Sequence, residues 1–379
     1  MLSLDAGKHL SFQLQASSPI PIHCDESRKL SGLRRLRNPD CKGHPSMHQA
    51  GKLSAYHSQN GLPEIVFSTG DPNGIGPEIT LKSLSLLHGK THFKPILAGN
   101  EHYLRELDLQ LGTNLSWQEM EIINVWGNQF SPSWGKVAEN SGKIAVDALN
   151  QALETCRDRG LPLLITAPVN KMALRLAGFS FPGQTEYLAS SFARRRVCMA
   201  FLSNTFHLLL ATIHMPLSRV PASLNSSDLY HDCCLFQEAL GRICDEPRIA
   251  VSGLNPHASE NGLFGEEEEQ IILPTVLALQ EKFGKETFSG PYPPDTVFNK
   301  AASGEFDGIV AMYHDQGLIP LKLLAFDQAV NTTLGLPITR TSPDHGTAFD
   351  IAGSFTASPE SMISAVSWGI RLAFQTDRE

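Results

Sequence analysis

Ile65-Val-Phe-Ser-Thr-Gly-Asp-Pro-Asn-Gly-Ile-Gly-Pro-Glu78 is an apolar run, a glycine-rich turn and the start of a helix, in that order. The run has the length of a buried strand, and Pro77 and Glu78 are residue types that favour the first turn of a helix. The pattern therefore predicts a strand–turn–helix unit whose helix reaches Leu87.

The same alternation of short apolar runs and helical periodicity continues along the chain. Further strands are predicted at 95–98, 122–125, 163–166, 197–202, 207–213, 248–252 and 308–312. Further helices are predicted at 136–158, 186–195, 227–244, 266–283 and from Ser358 onward. In the helix at 227–244, the spacing places Cys233 on the buried face. The alternation indicates an α/β protein with a central, mostly parallel sheet, whose chemistry lies in the loops that follow the strands.

Composition excludes several classes of protein. The 379 residues are 18% charged with a net charge of −8, which argues against disorder and against a general nucleic-acid surface. A local basic pocket for a small anion stays possible. No run of 18 apolar residues occurs, so no membrane span is predicted. The seven cysteines include no CxxC pair, which favours reduced thiols and a cytoplasmic protein.

Charge is unevenly distributed. Residues 1–62 contain eight basic and four acidic side chains, so the rest of the chain carries a net charge of −12. Residues 1–62 also lack a sustained helical or strand period, which predicts a poorly ordered N-terminal extension. The catalytic unit is therefore expected at 63–379.

Three histidines follow three predicted strands. His214 follows Leu208–Ile213, His257 closes the stretch that begins at Ile249, and His314 follows Ile309–Tyr313. Three imidazoles at one sheet edge form a plausible site for Zn²⁺ or another divalent ion. The alternative is that each is an ordinary loop or core histidine, because the spacing is not a local metal motif.

Two glycine-containing loops are candidates for binding a cofactor. Gly74 and Gly76 lie in the first turn, where a backbone without side chains and a helix N-terminus suit a phosphate. In the second loop, 342–353, His345 and Gly346 could contact a nucleotide, and Asp350 could accept from its ribose or adenine. The alternatives are a tight turn for the first loop and a helix-capping turn for the second.

Cationic and amide side chains collect around these loops. They are Lys171, Lys322, Asn331 and Arg340. In a body of net charge −12, such a collection favours a small anionic substrate, with solvated surface charge as the alternative.

From residue 64 to residue 376 the chain resembles the 4-hydroxythreonine-4-phosphate dehydrogenase family of vitamin B6 biosynthesis. The motifs that carry the resemblance are Gly70-Asp-Pro-Asn-Gly-Ile-Gly-Pro-Glu78, Thr166-Ala-Pro-Val-Asn-Lys171, Phe181-Pro-Gly-Gln-Thr-Glu186, Ala211-Thr-Ile-His-Met-Pro216, Gly253-Leu-Asn-Pro-His257, Pro294-Asp-Thr296, Met312-Tyr-His-Asp-Gln-Gly317, Val330-Asn331, Leu334-Gly-Leu-Pro337 and Arg340-Thr-Ser-Pro-Asp-His-Gly-Thr-Ala348.

The resemblance implies an isocitrate/isopropylmalate dehydrogenase-like fold of two interleaved α/β subdomains with a cleft between them. It also implies a homodimer with shared active sites. Its implied metal ligands, for Zn, Mg or Co, are His214, His257 and His314; its implied substrate contacts are Thr185, Asp295, Lys322, Asn331 and Arg340. The 345–353 stretch is similar to the adenosine-binding loop of those dehydrogenases.

The implied reaction is oxidation and decarboxylation of 4-phosphooxy-L-threonine to 3-amino-2-oxopropyl phosphate, with NAD or NADP as the hydride acceptor. A metal on the substrate hydroxyl lowers its pKa and stabilises the enolate that forms as CO₂ leaves. Lys322 and Arg340 are expected to hold the anionic groups of the substrate. Asp295 and Lys322 are the candidates for the general base.

One residue departs from the family pattern. The family has Gly-His-Thr-Glu where this chain has Gly-Gln-Thr-Glu, so Gln184 replaces a histidine that contacts substrate. An amide still donates a hydrogen bond, but it neither carries positive charge nor moves a proton. Three explanations stay open: a tolerated change, preference for a related substrate such as 4-phospho-threonate or 4-phospho-erythronate, and a catalytically impaired metal- or ligand-binding relative.

Overall fold

The structure is a computed structural model that describes residues 62–374 except 128 and 327. The predicted N-terminal extension therefore lies, apart from its last residue, outside the described residues.

One mixed sheet organises the described part of the chain. Its strands are β1 Glu64–Ser68, β2 Lys94–Gly99, β3 Glu121–Asn124, β4 Leu163–Thr166, β5 Cys198–Leu202, β6 His207–Leu210, β7 Ile249–Ser252, β8 Phe288–Tyr292, β9 Gly308–Ala311, β10 Val330–Leu334 and β11 Thr339–Pro343. The order across the sheet is β3-β2-β1-β4-β11-β10-β5-β6-β9-β7-β8.

Most neighbouring strands run parallel. Seven of the ten pairings among the described strands are parallel, and the three antiparallel ones involve β5 or β10 near the middle of the sheet. Strands β4, β6, β7 and β9, none of which is at an edge of the sheet, are buried along their whole length, as strands covered by helices on both faces are. The prediction of a mostly parallel α/β sheet is confirmed.

Helices connect the strands. They are α1 Gly76–Leu87, α2 Glu101–Leu111, α3 Glu139–Arg159, α4 Lys171–Leu176, α5 Gln184–Ser191, α6 Val220–Ser223, α7 Ser226–Leu240, α8 Leu273–Phe283, α9 Pro294–Ala302, α10 His314–Ala325 and α11 Glu360–Ala373. A π-helical turn, Glu268–Ile272, leads directly into α8. Cys233 of α7 is fully buried, as its helical spacing predicts.

No helix within residues 62–374, as far as the structure describes them, has the length and apolar character needed to cross a membrane.

Candidate active site

The three histidines of the predicted metal set follow neighbouring strands. Strands β6, β9 and β7 lie side by side and run parallel. His214 follows β6, His314 follows β9 and His257 follows β7. Because parallel strands end at one edge of a sheet, all three histidines belong to the same edge.

His214 and His314 form a close pair. Their ring centroids are 5.5 Å apart, and both line a cavity of about 550 Å³, called here the histidine cavity. Desolvation, followed by the positive field of Lys171, lowers the pKa of His214, so its imidazole is neutral and its lone pair is available at neutral pH. Asp315 Oδ1 lies 2.7 Å from His314 Nδ1, an arrangement that orients a metal-ligating imidazole and leaves Nε2 for the ion. The pair therefore fits a divalent metal.

His257 does not join this pair. Among the described residues, no three His, Cys, Asp or Glu side chains lie close enough together to hold a metal ion. His257 is exposed, and its ring lies beside Phe264 with centroids 6.3 Å apart. One copy of the chain thus brings two of the three predicted ligands together.

The backbone around His257 has the opposite hand to an ordinary helix. Residues 257–261, called here the left-handed segment, all have φ between 46° and 65°, and none of them is glycine. A left-handed conformation costs about 1–2 kcal/mol for each residue that has a Cβ. Such strain persists only where surrounding contacts hold it, and it is concentrated at functional sites.

Asp295, one of the two candidates for the general base, belongs to the same part of the molecule as His257. It lies exposed in the first turn of α9, and α9 packs against the segment that contains His257. Lys322, the other candidate, lines the histidine cavity instead.

Arg340 is a buried cation beside a smaller cavity. It is 6% exposed and lines a space of about 160 Å³, called here the arginine cavity. Its guanidinium donates to the Thr166 hydroxyl at 2.7 and 3.0 Å, and to the side-chain oxygens of Asn331 and Thr333 at 3.3 Å. Burial lowers the pKa of Arg340 to about 10, which leaves it charged at neutral pH. A buried charge held only by neutral oxygens suits an anionic ligand.

Gln184 is the fifth contact of this guanidinium. Its side-chain oxygen accepts from Arg340 Nη2 at 3.1 Å, and its amide nitrogen donates to the carbonyl of Ala167 at 3.2 Å. The site therefore needs one acceptor and one donor at position 184. A neutral imidazole also has one of each, so the amide reproduces the hydrogen bonds of a neutral histidine.

Lys322 pairs with a carboxylate that the sequence alone did not single out. Asp344 Oδ2 lies 3.2 Å from Lys322 Nζ, and its side chain is 14% exposed. Burial raises the pKa of Asp344, while Lys322, His345 and His314 act in the opposite direction. Asp344 directly follows β11, so the rule that selected the three histidines also applies to it. Asp315, directly after His314, was missed in the same way.

The two cavities adjoin. Asn331 lines the histidine cavity and bonds to Arg340 in the arginine cavity. Asp344 lines the first and its neighbour His345 lines the second. Thr185 lies half-buried at the start of α5, next to Gln184, and Lys171 begins α4. Cationic and neutral donors thus lie at both cavities, with Lys322 and Asn331 at the first and Arg340 and Gln184 at the second.

The glycines of the first loop are explained by packing. A Cβ on Gly74 would lie 2.8 Å from the side chain and the carbonyl oxygen of Thr347, and one on Gly76 would lie 2.7 Å from the carbonyl oxygen of Thr69. The first loop therefore packs on the second. Gly346 faces open space, and His345 and Asp350 are exposed, so the second loop leaves room for a nucleotide.

A buried carboxylate fixes the first loop. Asp71 is fully buried, and its Oδ1 accepts from the backbone N–H of Asn73 at 2.9 Å. Burial raises the pKa of Asp71, with hydrogen bonds from Asn73, Ser141 and Asn170 opposing the change.

Comparison with known proteins identifies the family. Residues 79–369 match the family model of the pyridoxal phosphate biosynthetic protein PdxA. The chain belongs to this family. The 4-hydroxythreonine-4-phosphate dehydrogenase of Desulfosudis oleivorans is 39% identical over 326 residues, which are 82% of this chain and 96% of that protein. The enzyme of the same name from Desulforapulum autotrophicum is 40% identical over 320 residues, 80% of this chain and 94% of that one.

A solved structure confirms the fold. The crystal structure of 4-hydroxythreonine-4-phosphate dehydrogenase from Klebsiella pneumoniae superposes with a TM-score of 0.72 at 36% identity, covering 84% of this chain and 100% of that chain. The expected isocitrate/isopropylmalate dehydrogenase-like fold is thus confirmed.

Proposed function

We propose that this protein is a divalent-metal-dependent, NAD(P)-dependent dehydrogenase that oxidises and decarboxylates 4-phosphooxy-L-threonine in the biosynthesis of pyridoxal phosphate. Membership of the family supports the reaction. The observation that carries it in this chain is a close pair of imidazoles together with a buried arginine that hydrogen-bonds only to neutral oxygens, at adjoining cavities.

The proposed metal ligands are His214, His314 and His257. A bound divalent ion supplies Lewis acidity that lowers the pKa of the substrate hydroxyl and stabilises negative charge during loss of CO₂. His314 is oriented for this role by Asp315. Because His257 does not cluster with the other two ligands in the same chain, we propose that a second copy supplies it.

The resulting homodimer has shared active sites. Beside the histidine cavity, α10 exposes an apolar face that includes Ile319 at 59% and Leu323 at 81% exposure. Leu263 and Phe264, close to the left-handed segment, are also exposed. In a two-fold dimer each partner offers both surfaces, so two equivalent sites form. The second copy also delivers Asp295 together with His257.

The anionic groups of the substrate bind to the chain's own cations. Arg340 offers a planar, buried fork of donors, while Lys322 offers a point charge whose position is held by Asp344. Asn331 and Thr185 add neutral hydrogen bonds, and Gln184 keeps the Arg340 guanidinium in place. His345, Gly346 and Asp350 are the proposed contacts of the nicotinamide cofactor, and Gly74 and Gly76 shape the loop beneath them.

The general base is Asp295 or Lys322. Asp295 would arrive with the second copy, whereas Lys322 lies in the histidine cavity of the first. The free thiols of Cys156, Cys198, Cys233, Cys234 and Cys244 are consistent with the proposed cytoplasmic location.

A substrate-panel assay tests the proposal. NADH or NADPH formation is followed with 4-phosphooxy-L-threonine, 4-phospho-threonate and 4-phospho-erythronate, each with and without a chelator and with Zn²⁺, Mg²⁺ or Co²⁺ restored. The proposal expects the highest kcat/KM with 4-phosphooxy-L-threonine and loss of activity in chelator. Faster turnover of either analogue would transfer the assignment to that substrate, and no turnover of any would contradict it.

A further inference from the structure

A buried carboxylate binds the residues that precede the left-handed segment. Glu268 is 3% exposed, and its Oε1 accepts from the backbone N–H groups of Leu254 at 2.8 Å and Asn255 at 2.7 Å. Its Oε2 accepts from the side-chain amide of Asn255 at 2.9 Å. Three charge-assisted hydrogen bonds, shielded from water, fix the two residues that precede Pro256 and His257.

The local backbone is shaped to admit this carboxylate. A Cβ on Gly253 would lie 2.9 Å from Glu268 Oε1 and 2.9 Å from the Cα of Ala258, so only glycine lets the three groups meet. Glu268 itself begins the π-helical turn before α8, a local irregularity that is common at functional sites.

Gly253 is also hydrogen-bonded to the helix that carries His314. Gln316, two residues after His314, donates from its side-chain amide to the carbonyl of Gly253 at 2.8 Å. Its side-chain oxygen accepts from the backbone N–H of Met312 at 2.6 Å. Gln316 thus joins Gly253, which follows β7, to Met312, which follows β9, at the edge of the sheet.

Besides its packing against α9 and β8, the left-handed segment is held by few hydrogen bonds among the described residues, one of which runs from the Ala258 N–H to the Asn255 carbonyl at 3.1 Å. The backbone N–H of Phe264 donates to the Ser259 carbonyl at 3.1 Å, and Gly262 donates to the Ser259 hydroxyl at 3.2 Å. Five consecutive residues with a Cβ disfavour this conformation by themselves. The contacts before the segment must therefore help to hold it.

We propose that Glu268 is a positioning residue, which holds residues 257–261 left-handed so that His257 is presented to the metal of the shared site. This inference rests on the proposed function, because it takes His257 to be a ligand.

Metal affinity of the purified, full-length protein tests it. Co²⁺ is titrated in competition with a chromophoric chelator, for wild type, Glu268→Gln and the control Glu269→Gln, whose carboxylate is exposed one position along the chain. Glu268→Gln keeps the side-chain size but offers Asn255 an amide in place of one oxygen. We expect Co²⁺ affinity to fall by about 10- to 100-fold, as for other groups that orient ligands, with the control unchanged.

A second substitution separates positioning from general stability. Ala258→Gly removes the Cβ penalty at φ 51°, so it favours the left-handed segment without any contact to Glu268. We expect it to raise Tm when introduced alone, and to restore most of the lost Co²⁺ affinity when combined with Glu268→Gln. Unchanged affinity in Glu268→Gln, failure of Ala258→Gly to restore a lost affinity, or a lower Tm for Ala258→Gly alone would each overturn the proposal.

His257→Ala distinguishes failure of this inference from failure of the proposed function. If His257→Ala leaves Co²⁺ affinity unchanged, the proposed ligand set is wrong. If His257→Ala weakens Co²⁺ binding and Glu268→Gln does not, the ligand set stands and only the role of Glu268 is overturned.

Discussion

The two cavities and the left-handed segment hold their functional side chains in different ways. Around the cavities, Arg340 stands on the buried strand β11 and His314 begins α10, and neighbouring side chains bond to these two residues at 2.7–3.3 Å, while His214 lies in the loop that follows β6. At the left-handed segment, His257 is exposed on strained backbone. The first region holds its arginine firmly in hydrogen bonds but brings together only two of the three proposed metal ligands. The second carries the third proposed ligand, and this difference supports the proposal that the site is split between two surfaces.

Removing any one of the three histidines is expected to have the largest effect. His214→Ala, His314→Ala and His257→Ala should each lower kcat/KM by about 1,000-fold or more, because Lewis-acid stabilisation worth several kcal/mol is lost. His88→Ala, at the exposed end of α1, is the control. Wild-type activity in His257→Ala would break the link between the two regions.

Changing the buried guanidinium should rank next. Arg340→Lys keeps the charge but cannot reach Thr166, Asn331 and Gln184 together, so we expect kcat/KM to fall by about 100-fold or more. Metal affinity should stay at the wild-type level, because the histidines are untouched. Arg105→Lys, on the surface of α2, is the matched control. Equal kinetics for Arg340→Lys and wild type would remove the arginine cavity from the site.

Restoring the family histidine should have a small effect. Gln184→His offers the same acceptor to Arg340 and the same donor to Ala167, so we expect kcat/KM to change by less than about 3-fold, the range of a conserved hydrogen-bond pair. Steady-state kinetics over a range of pH measure this. A large rise in activity would instead identify the native protein as an impaired enzyme.

The smallest expected effect is on the pH dependence of stability. Burial raises the pKa of Asp71 in the folded state, so its ionisation opposes folding. The contribution of Asp71 is most favourable below about pH 4, its unfolded pKa, and is lost as pH rises through the folded value. In Asp71→Asn the side chain does not ionise, so this loss of stability with rising pH does not occur.

Thermal unfolding of Asp71→Asn and wild type at a series of pH values tests the sign. The Tm of the variant minus the Tm of wild type should increase as pH rises from about 4 toward neutrality. Asp158→Asn, exposed near the end of α3, should show no such trend. A difference that shrinks with rising pH would contradict the assigned direction.

Much of the sheet is predictable because its strands are short and apolar. Leu163–Thr166 and Gly308–Ala311 are buried throughout, and such runs are recognised in any context. The apolar pattern does not predict three of the strands. Strand β8 contains Gly290 and Pro291, β10 contains a pair of threonines, and β11 contains Arg340. Helix α10 was missed because Gly317 and Pro320 interrupt its pattern.

The site was predictable to the extent that it follows strand ends. That rule placed His214, His257 and His314 at one edge, and Asp315 and Asp344 satisfy it as well. The rule gives no distances between side chains, so it could not separate His257 from the other two histidines. Nor can local propensity predict residues 257–261, since five residues with a Cβ rarely adopt that conformation without contacts such as those of Glu268.

Mixing inactive subunits tests the shared site most directly. His214→Ala and His257→Ala proteins are unfolded together, refolded as a mixture and assayed. A heterodimer contains one intact set of three histidines, and random pairing makes half of the dimers heterodimers, so about a quarter of wild-type activity should return. The mixture of His214→Ala with His314→Ala should stay inactive, because both lost ligands belong to the same half-site. No recovery in the first mixture, with heterodimers shown to be present, would contradict a site completed by His257 of a second copy.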